Sequence, residues 1–204
     1  MARVLEGSGK PLVITSGTLL VAFGRSGVAT EMVAPVTPEL PRSASETIVM
    51  PAARKGVRSS IVRLSPSVHG RGDHGFVPFL MDIARRKGFS AYVGEGKNRW
   101  PAVHRLDAAH LFRLALEKAP PGTRLHGVAE EGVPMRSIAE TIGAGLKVPV
   151  RSITLEEAPA HFEWITPFVT IDGPTSRAIT REAFGWSPMQ PDLLTDMKEN
   201  EYLS

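Results

Sequence analysis

Cysteine is absent from the 204 residues, and so is any apolar run of the roughly 20 residues that a membrane-spanning helix needs. The first absence excludes a disulfide framework, a thiolate nucleophile and a thiolate metal site. The N-terminal segment MARVLEGSGKP has neither the apolar core nor the cleavage region of a secretory signal. We therefore expect a cytoplasmic protein without a membrane partner.

A large excess of charge of one sign is also lacking, because 24 lysines and arginines stand against 21 aspartates and glutamates. The densest basic run, Arg85-Arg86-Lys87, closes a predicted helix, where cations complement the helix C-terminus. No motif that reads a nucleic-acid groove accompanies this run, so we expect no nucleic-acid partner. The scattered arginines are still compatible with binding of a small ligand that carries a phosphate.

Composition and element order indicate the class of fold. With 42% hydrophobic residues the chain can bury an ordinary core, and we expect residues 1–204 to form a single unit. Strands are predicted at 12–15, 60–64, 91–93, in a piece ending at 104, within 122–129 and at 148–153, and helices at 43–55, 76–87, 106–118 and 133–146. This alternation is typical of an α/β fold with a mainly parallel sheet. The helix-biased remainder predicts a small C-terminal cap, with Trp164, Phe168, Phe184 and Trp186 as anchors.

The most specific pattern is SSIVRLSPSVHGRGDHGFVPFLMDIARRKGFSAYVGEGKNRWPAVHRLDAAHL, residues 59–111. A β-type run ends in Pro-Ser-x-His-Gly, an apolar helix-like segment follows, and strand-like pieces around a Gly-Glu-Gly turn lead to His104 and Asp107. This order resembles the second half of extended, atypical short-chain dehydrogenase/reductases, the NAD-dependent epimerase/dehydratase group. The resemblance implies a doubly wound, Rossmann-like sheet and an oxidoreductase or epimerase that uses NAD or NADP. The implied small-molecule substrate is a sugar nucleotide or another carbonyl or alcohol compound.

The resemblance also implies candidate catalytic residues. In the family a strand ends in a Ser/Thr cluster whose hydroxyl orients the reacting oxygen of the substrate. Here TSGT supplies Thr15, Ser16 and Thr18 at the corresponding place. The alternative is that these hydroxyls only terminate a strand and bond to nearby backbone.

The Tyr of the family and the Lys four residues after it have no counterpart in this chain. Such an ammonium lowers the pKa of the phenol, but neither Tyr92 nor Tyr202 has a Lys at that spacing. Aligning Glu46 with the acidic residue that follows the motif places Arg42 near the Lys and Pro38 near the Tyr. Arg42 remains a candidate contact to a cofactor ribose or phosphate, whereas Pro38 cannot act as an acid or a base. The missing pair favours a second hypothesis, a non-catalytic binding or regulatory relative.

The segment PSVHG matches the family segment that packs beside the nicotinamide. It makes Pro66 and Ser67 candidate cofactor-binding residues. His69 is a candidate substitute proton donor, because an imidazole titrates near neutrality. The alternative is a tight turn in which His69 bonds locally and Gly70 adopts an unusual φ.

Two further groups of residues are candidates for a metal site and for substrate binding. His69, Asp73 and His74 lie close together in a Gly-rich loop, but that spacing does not fix ligand geometry, and we expect no metal site. NRWPAVHRLDAAHLF resembles the RxxVHVxDLA block of the family. In that block Arg99 and Trp100 are candidate substrate-binding residues. Asp107 precedes an apolar helical pattern and is expected to cap it.

A Gly-rich dinucleotide turn is missing as well. Such a turn exposes backbone amides to the pyrophosphate, yet no GxGxxG or GxxGxxG follows an N-terminal strand, and GSGKP is not a P-loop. We therefore expect a truncated fold that lacks the N-terminal dinucleotide-binding half and binds NAD or NADP weakly. A third hypothesis is an inactive gene fragment.

The expected truncation leaves one side of the strand at 12–15 unpaired. An apolar edge strand is a template for association, and neither a charge nor an interior Pro blunts this one. It can be covered by the N-terminal ARVL segment, by a second copy of the chain or by a separately encoded N-terminal half. We expect self-association, because ARVL is short and GSGKP leaves little slack for a hairpin.

Overall fold

The computed structural model describes residues 2–35 and 41–199, without the side chains of residues 41 and 42. Within these ranges the strands are β1 (Pro11–Gly17), β2 (Arg58–Leu64), β3 (Ser67–His69), β4 (Ser90–Val93), β5 (Arg99–His104), β6 (Thr123–Gly127), β7 (Glu130–Pro134) and β8 (Val150–Ile153). The α-helices are α1 (Leu19–Ala22), α2 (Pro41–Ala52), α3 (Phe76–Lys87), α4 (Arg105–Lys118), α5 (Met135–Leu146), α6 (Ala158–Phe162), α7 (Thr166–Val169), α8 (Ala178–Phe184) and α9 (Leu193–Glu199). Short 3₁₀ helices cover Ala2–Leu5, Ala53–Lys55 and Glu163–Ile165. None of the described helices is both long enough and apolar enough to cross a bilayer.

The central sheet contains three parallel strands in the order β1-β2-β6. Leu12 pairs with Ser59 and Gly17 with Leu64, and the pairing of β2 with β6 begins at Ser60. Parallel neighbours require crossover connections, which here contain α2 between β1 and β2, and α3 and α4 between β2 and β6. The chain therefore has the predicted α/β fold with a parallel, Rossmann-like sheet.

Side chains along β2 alternate between the two faces of this sheet. Ile61 packs with Val49 of α2, whereas its neighbour Val62 packs with Leu111 of α4. Helices on both faces explain why β2 is buried without interruption over residues 59–63.

Two smaller sheets and the C-terminal helices complete the fold. β3 and β5 are parallel, β7 runs antiparallel to β5, and β4 pairs in parallel with β8. The largest apolar cluster joins Trp100 of β5 to Ile83 of α3 and Ile138 of α5. Phe162 of α6 and Leu193 of α9 pack into the same cluster, so the C-terminal helices cover this part of the core.

Helix boundaries agree well with the sequence where a glycine ends the helix. α3 has its predicted bounds and ends at Gly88, which adopts a φ of 75°. A proline inside a helix usually breaks or kinks it. Pro51 lies near the end of α2, and the chain continues as a 3₁₀ turn to Gly56, which has a φ of 72°. A proline so close to the helix end costs few backbone hydrogen bonds.

Two short strands contradict the sequence predictions. Val133, placed at the start of a helix, belongs to β7 and pairs with Trp100, and α5 begins only at Met135. The PSVHG segment forms β3 instead of a tight turn. The unusual φ expected for Gly70 is present at 132°, and a Cβ there would lie 2.9 Å from Nε2 of His104. These strands were missed because they are short and carry polar residues.

Some predicted structural roles are also different. His104, and not Asp107, is the N-cap of α4, and its Nδ1 accepts the backbone N–H of Leu106 at 3.2 Å. Asp107 instead accepts the backbone N–H groups of residues 189 and 190, and so holds the C-terminal segment against α4. Of the expected aromatic anchors, Trp186 is fully buried, whereas Trp164 is largely exposed.

A buried ion pair lies between the central sheet and α2. Nε and Nη2 of Arg63 donate to the carboxylate of Glu46 at 2.9 and 2.7 Å, and Nη1 donates to the carbonyl of Val33 at 2.8 Å. Burial by itself raises the pKa of Glu46, but the hydrogen bonds from Arg63 and the smaller effect of the Ser16 hydroxyl outweigh it, and the pKa lies below its ordinary value. The ion pair therefore contributes stability above about pH 4.3, and that stability is lost as the pH falls through the lowered pKa.

Substitutions at this ion pair should be costly and coupled. We expect Glu46→Gln and Arg63→Met each to lower the free energy of unfolding by about 3–5 kcal/mol, because each leaves a buried partner uncompensated. The double variant should lose clearly less than the sum of the two. Urea unfolding of all four proteins measures the coupling, with the exposed Asp82→Asn as a control whose midpoint should not move. Additive losses would contradict the role given to the pair.

Candidate functional site

The carboxyl ends of β1 and β2 border a cavity of about 310 Å³. In open parallel sheets this edge is the usual place for a ligand, because the connections there leave a crevice beyond the strand ends. The lining residues are Thr15, Ser16, Gly17, Thr18, Leu19, Leu20, Leu64, Ser65, Pro66, Val68, Phe76 and Phe168. The three hydroxyl residues predicted from TSGT therefore meet at one cavity.

The three hydroxyl residues differ in their surroundings. Thr15 is exposed, whereas Ser16 and Thr18 are 2% and 0% exposed. The Ser16 hydroxyl interacts with the Glu46 carboxylate and helps to lower its pKa, but its Oγ has no hydrogen-bond partner of ordinary geometry among the described residues. The backbone N–H of Thr18 donates to the carbonyl of Leu64 at 2.9 Å, which fixes the residue beside the end of β2. Oγ1 of Thr18 has no hydrogen-bond partner among the residues that the structure describes, so its hydrogen-bonding capacity is available to a ligand.

Apolar side chains also line the cavity and form an apolar wall. Leu19 and Leu20 come from α1, Phe76 from the first turn of α3 and Phe168 from α7. The rings of Phe76 and Phe168 lie 5.2 Å apart, centroid to centroid. Trp100 lies behind them, with its ring 5.3 Å from that of Phe76 and its indole N–H donating to the carbonyl of Phe168 at 3.0 Å. The wall is therefore held by aromatic contacts and by one hydrogen bond from the core.

The predicted cofactor-binding residues divide into two groups. Pro66 lines the cavity, and Ser67, the first residue of β3, is buried next to it. Oγ of Ser67 has no hydrogen-bond partner within the described ranges. The side chain of Arg42 and the whole of Pro38 lie outside the described residues.

His69 does not line the cavity. Its side chain is fully buried, and its Nδ1 lies 2.8 Å from Oδ2 of the equally buried Asp196 on α9. Its ring also contacts that of His104, 5.3 Å away and nearly perpendicular. Burial lowers the pKa of His69, and the opposing hydrogen bond and charge of Asp196 do not restore it. The neutral ring therefore joins α9 to β3, and its catalytic role stays a prediction.

The predicted substrate-binding residues have other partners. Nε and Nη2 of Arg99 donate to the two carboxylate oxygens of Asp172 at 2.9 and 2.8 Å on the surface, and this contact raises the pKa of Arg99. Trp100 is fully buried behind the aromatic wall. Neither residue lines the cavity, so Trp100 can influence a substrate only through Phe76 and Phe168.

The Gly-rich loop after β3 holds its own acidic residue. Oδ1 of Asp73 accepts the backbone N–H of Gly75 at 2.6 Å, a turn contact made just before α3. In the part of the chain that the structure describes, no three His, Asp or Glu side chains are grouped as metal ligands.

The apolar wall is the part of the site that sequence reasoning missed. Leu19 and Leu20 directly follow TSGT at the end of a predicted strand, and Phe76 is the first residue of the helix predicted at 76–87. These positions could have indicated a place in the cavity wall. Phe168 comes from a distant segment, and nothing in the sequence connects it with β1. Ser65 was also missed, although it directly follows the strand predicted at 60–64.

Solved structures share this architecture. DesIV, a dTDP-glucose 4,6-dehydratase of Streptomyces venezuelae with NAD and TYD bound, superposes with a TM-score of 0.68 at 19% identity over 95% of this chain and 63% of its own. MoeE5, in complex with UDP-glucuronic acid and NAD, gives 0.71 at 14% identity over 99% and 67%. The fold of the chain is therefore the Rossmann-like fold of NAD-dependent sugar-nucleotide dehydratases and epimerases, and the identity is too low to carry more than the fold.

Two yeast proteins match at much higher identity. The uncharacterized protein C2A9.02 of Schizosaccharomyces pombe is 47% identical over 203 residues, and the uncharacterized protein YLL056C of Saccharomyces cerevisiae is 46% identical over 209 residues. The alignments cover 99% and 100% of this chain and 68% of each yeast protein. The chain belongs to the family of these two proteins. No protein-family model matches it.

The buried contact between His69 and Asp196 should make stability depend on pH. The pKa of His69 is lowered in the folded protein, so the unfolded chain takes up a proton first, and stability should fall as the pH drops below about 6.5. His69→Gln should remove part of this dependence. Asp196→Asn should cost about 1–3 kcal/mol of unfolding free energy, because it weakens a buried hydrogen bond.

Urea unfolding at about pH 7.5 and about pH 5.5 measures both effects, since these values lie on either side of the ordinary histidine pKa. His110→Gln is a control for the loss of a histidine at an exposed position. An unchanged difference between the two pH values for His69→Gln would show that His69 does not titrate on unfolding. In an active preparation, an unchanged pH–rate profile of the same variant would exclude His69 from the mechanism.

Proposed function

We propose that the protein is an NAD(P)-dependent oxidoreductase or epimerase-like protein whose reaction takes place in the cavity at the ends of β1 and β2. The observation that carries this proposal is the fully buried hydroxyl of Thr18, which lacks a partner among the described residues and lines a largely apolar cavity. The fold supports the proposal, because neighbours such as DesIV and MoeE5 were crystallised with NAD.

The residues present suit only part of a dinucleotide. Pro66 at the cavity wall and the unpartnered hydroxyl of Ser67 suit the nicotinamide end, and Arg42 is the candidate contact to a ribose or phosphate. The cofactor, when bound, supplies the exchange of a hydride with the substrate. The Gly-rich turn that would hold the pyrophosphate is not among these 204 residues, so we expect this chain alone to bind NAD or NADP weakly.

The chain contributes orientation of the substrate oxygen. The Thr18 hydroxyl can donate to a carbonyl oxygen or accept from an alcohol, and its rigid backbone contact to Leu64 keeps it at one position. A fixed donor of this kind stabilises the negative charge that develops on oxygen when a carbonyl is reduced. Thr15, at the exposed end of the hydroxyl row, can hydrogen-bond to the part of the substrate nearest the solvent.

The proton must come from elsewhere. Of the described residues that line the cavity none has an ionisable side chain, and threonine and serine hydroxyls do not ionise near neutral pH. Water at the open side of the cavity is therefore the proton source that we propose. The missing Tyr/Lys pair also favours a second candidate function, a non-catalytic protein that binds the same small ligands.

A pair of substitutions at Thr18 tests the proposed function. Thr18→Val keeps the shape of the side chain but removes the hydroxyl, and it should lower kcat/KM by about ten- to a hundredfold, whereas Thr18→Ser should retain most activity. The measurement is the consumption of NADH or NADPH with aldehydes, ketones and UDP-glucose, with calorimetry for cofactor affinity. Equal rates for the two variants would exclude Thr18. Dinucleotide binding with no turnover of any compound would favour the non-catalytic alternative, and a micromolar Kd would contradict the expected weak binding.

The open edge of β1 supports a further proposal, that two copies of the chain associate. In the described residues β1 pairs only with β2, and the ARVL segment forms a 3₁₀ helix instead of a strand. The contacts Arg58 N–H to Lys10 carbonyl and Thr18 N–H to Leu64 carbonyl set the alternation, so the odd-numbered residues of β1 direct their backbone groups away from β2. An apolar strand with such free groups is suited to pair with another strand.

Light scattering on the purified chain should therefore report a dimer or a larger species. Val13→Pro removes an edge N–H without touching the bonds to β2, and it should shift the protein toward the monomer. A monomer at about tens of micromolar for the unmodified chain would contradict self-association, since a stable edge pairing should persist at that concentration. Association unchanged by Val13→Pro would place the contact elsewhere on the surface.

A further inference from the structure

We infer that this cavity accepts an uncharged, apolar carbonyl compound or the corresponding alcohol, and not a sugar nucleotide. The inference rests on the proposed function, which makes Thr18 the group that meets the reacting oxygen. It separates the chain from structural neighbours such as MoeE5, whose structure contains UDP-glucuronic acid.

The shape and chemistry of the wall give the first argument. The apolar wall of Leu19, Leu20, Phe76 and Phe168 lines the same cavity as the hydroxyls, and none of these four side chains offers a hydrogen bond. The buried Trp100 packs against Phe76 and donates a hydrogen bond to the backbone of Phe168, so the aromatic part of the wall is held in place. A ligand surface that lies against this wall must itself be apolar, because an unpaired hydroxyl there would lose its contact with water.

The number of available hydrogen bonds gives the second argument. Ser65 donates its hydroxyl to the carbonyl of Gly127 at 2.9 Å. Among the buried lining hydroxyls this leaves those of Ser16 and Thr18 without a partner in the described residues, and the Ser16 hydroxyl also interacts with the Glu46 carboxylate. Two such hydroxyls suit one or two ligand oxygens, fewer than the hydroxyl groups of a sugar. Each additional ligand hydroxyl buried without a partner would weaken binding by about 5- to 150-fold.

Charge gives the third argument. A sugar nucleotide carries a diphosphate, which proteins bind with arginine, lysine or a cluster of backbone amides. Among the side chains that the structure describes, which do not include that of Arg42, none that lines this cavity is charged. Arg99, a substrate-binding candidate from the sequence, does not line the cavity, and its Nε and Nη2 donate to the Asp172 carboxylate.

The volume leaves room for a compact ligand. The cavity measures about 310 Å³, near the lower limit of about 300 Å³ for pockets that hold small ligands. A nicotinamide ring beside Pro66 would share this space, so the substrate itself must be small. The apolar side chains of α1 and α7 would remain the surface that meets the substrate.

Binding of matched probes to the full chain, without a cofactor, tests the inference. Cyclohexanone and glucose have rings of similar size and differ mainly in their hydroxyl groups, and UDP-glucose adds the diphosphate. We expect cyclohexanone to show saturable binding by ligand-observed NMR, with a Kd at least about tenfold below those of glucose and UDP-glucose. Equal or tighter binding of either sugar compound, or no saturable binding of cyclohexanone, would overturn the inference.

Substitutions locate the binding. Phe168→Ser should raise the Kd for cyclohexanone at least about fivefold, because it places a polar group in the apolar wall. Leu155→Ser is the matched control at an exposed position and should change nothing. An unchanged Kd for a folded Phe168→Ser protein would overturn the inference. If that variant fails to fold, nuclear Overhauser effects from cyclohexanone to the Phe76 and Phe168 rings of the unmodified chain decide: their presence supports the inference, and their absence overturns it.

These measurements separate the inference from the proposed function. They need neither NAD(P) nor turnover, so cyclohexanone binding in the cavity together with no NAD(P)H consumption would refute the enzymatic proposal and leave the ligand class standing. Turnover of UDP-glucose that depends on Thr18 would do the reverse.

Discussion

The guanidinium of Arg63 holds together most of what surrounds the central sheet. It lies fully buried on β2, and it donates to Glu46 on α2 and to the carbonyl of Val33 in the loop before that helix. Its Nη1 is also 3.4 Å from Nε2 of His126 on β6, whose Nδ1 lies 2.8 Å from the carbonyl of Ser176. These two neighbours suit a neutral imidazole, and burial lowers the pKa of His126 to about 4. One buried cation thus connects two strands, a helix and two loops, and a charge without those partners could not remain there.

The cavity depends on this arrangement because it is bordered by the end of β2, which carries Arg63, and by the end of the neighbouring β1. Ser16, which stabilises Glu46, is a neighbour of Thr18, and the N–H of Thr18 is bonded to β2. The apolar wall depends on the largest apolar cluster, in which Trp100 supports Phe76 and Phe168. The site therefore lies between the central sheet and that cluster. Such a boundary is where pockets in α/β proteins are commonly found.

Sequence reasoning succeeded where the physical signal is local. The apolar run at 60–64 and the helix 76–87 with its terminal glycine were found because strand burial and helix ends have short-range signatures. TSGT was placed at the cavity through a family resemblance. Sequence-based prediction failed where long-range contacts determine the structure. Val133 pairs as a strand because Trp100 lies opposite, and Phe168 reaches the cavity through a fold that no local pattern encodes. The partner of His69 is 127 residues away, so the sequence could not show that its ring is buried against Asp196.

The hydrogen bond from the Trp100 indole to the carbonyl of Phe168 joins the backbone of one cavity wall to a strand of the core. Changes in the Phe168 side chain alter the space available to a ligand, whereas changes at Trp100 would move the wall itself. Relatives of this protein could therefore diverge in the compounds they accept without any substitution at a residue that touches a ligand. A comparison of binding preferences across the family would have to include position 100 together with the lining of the cavity.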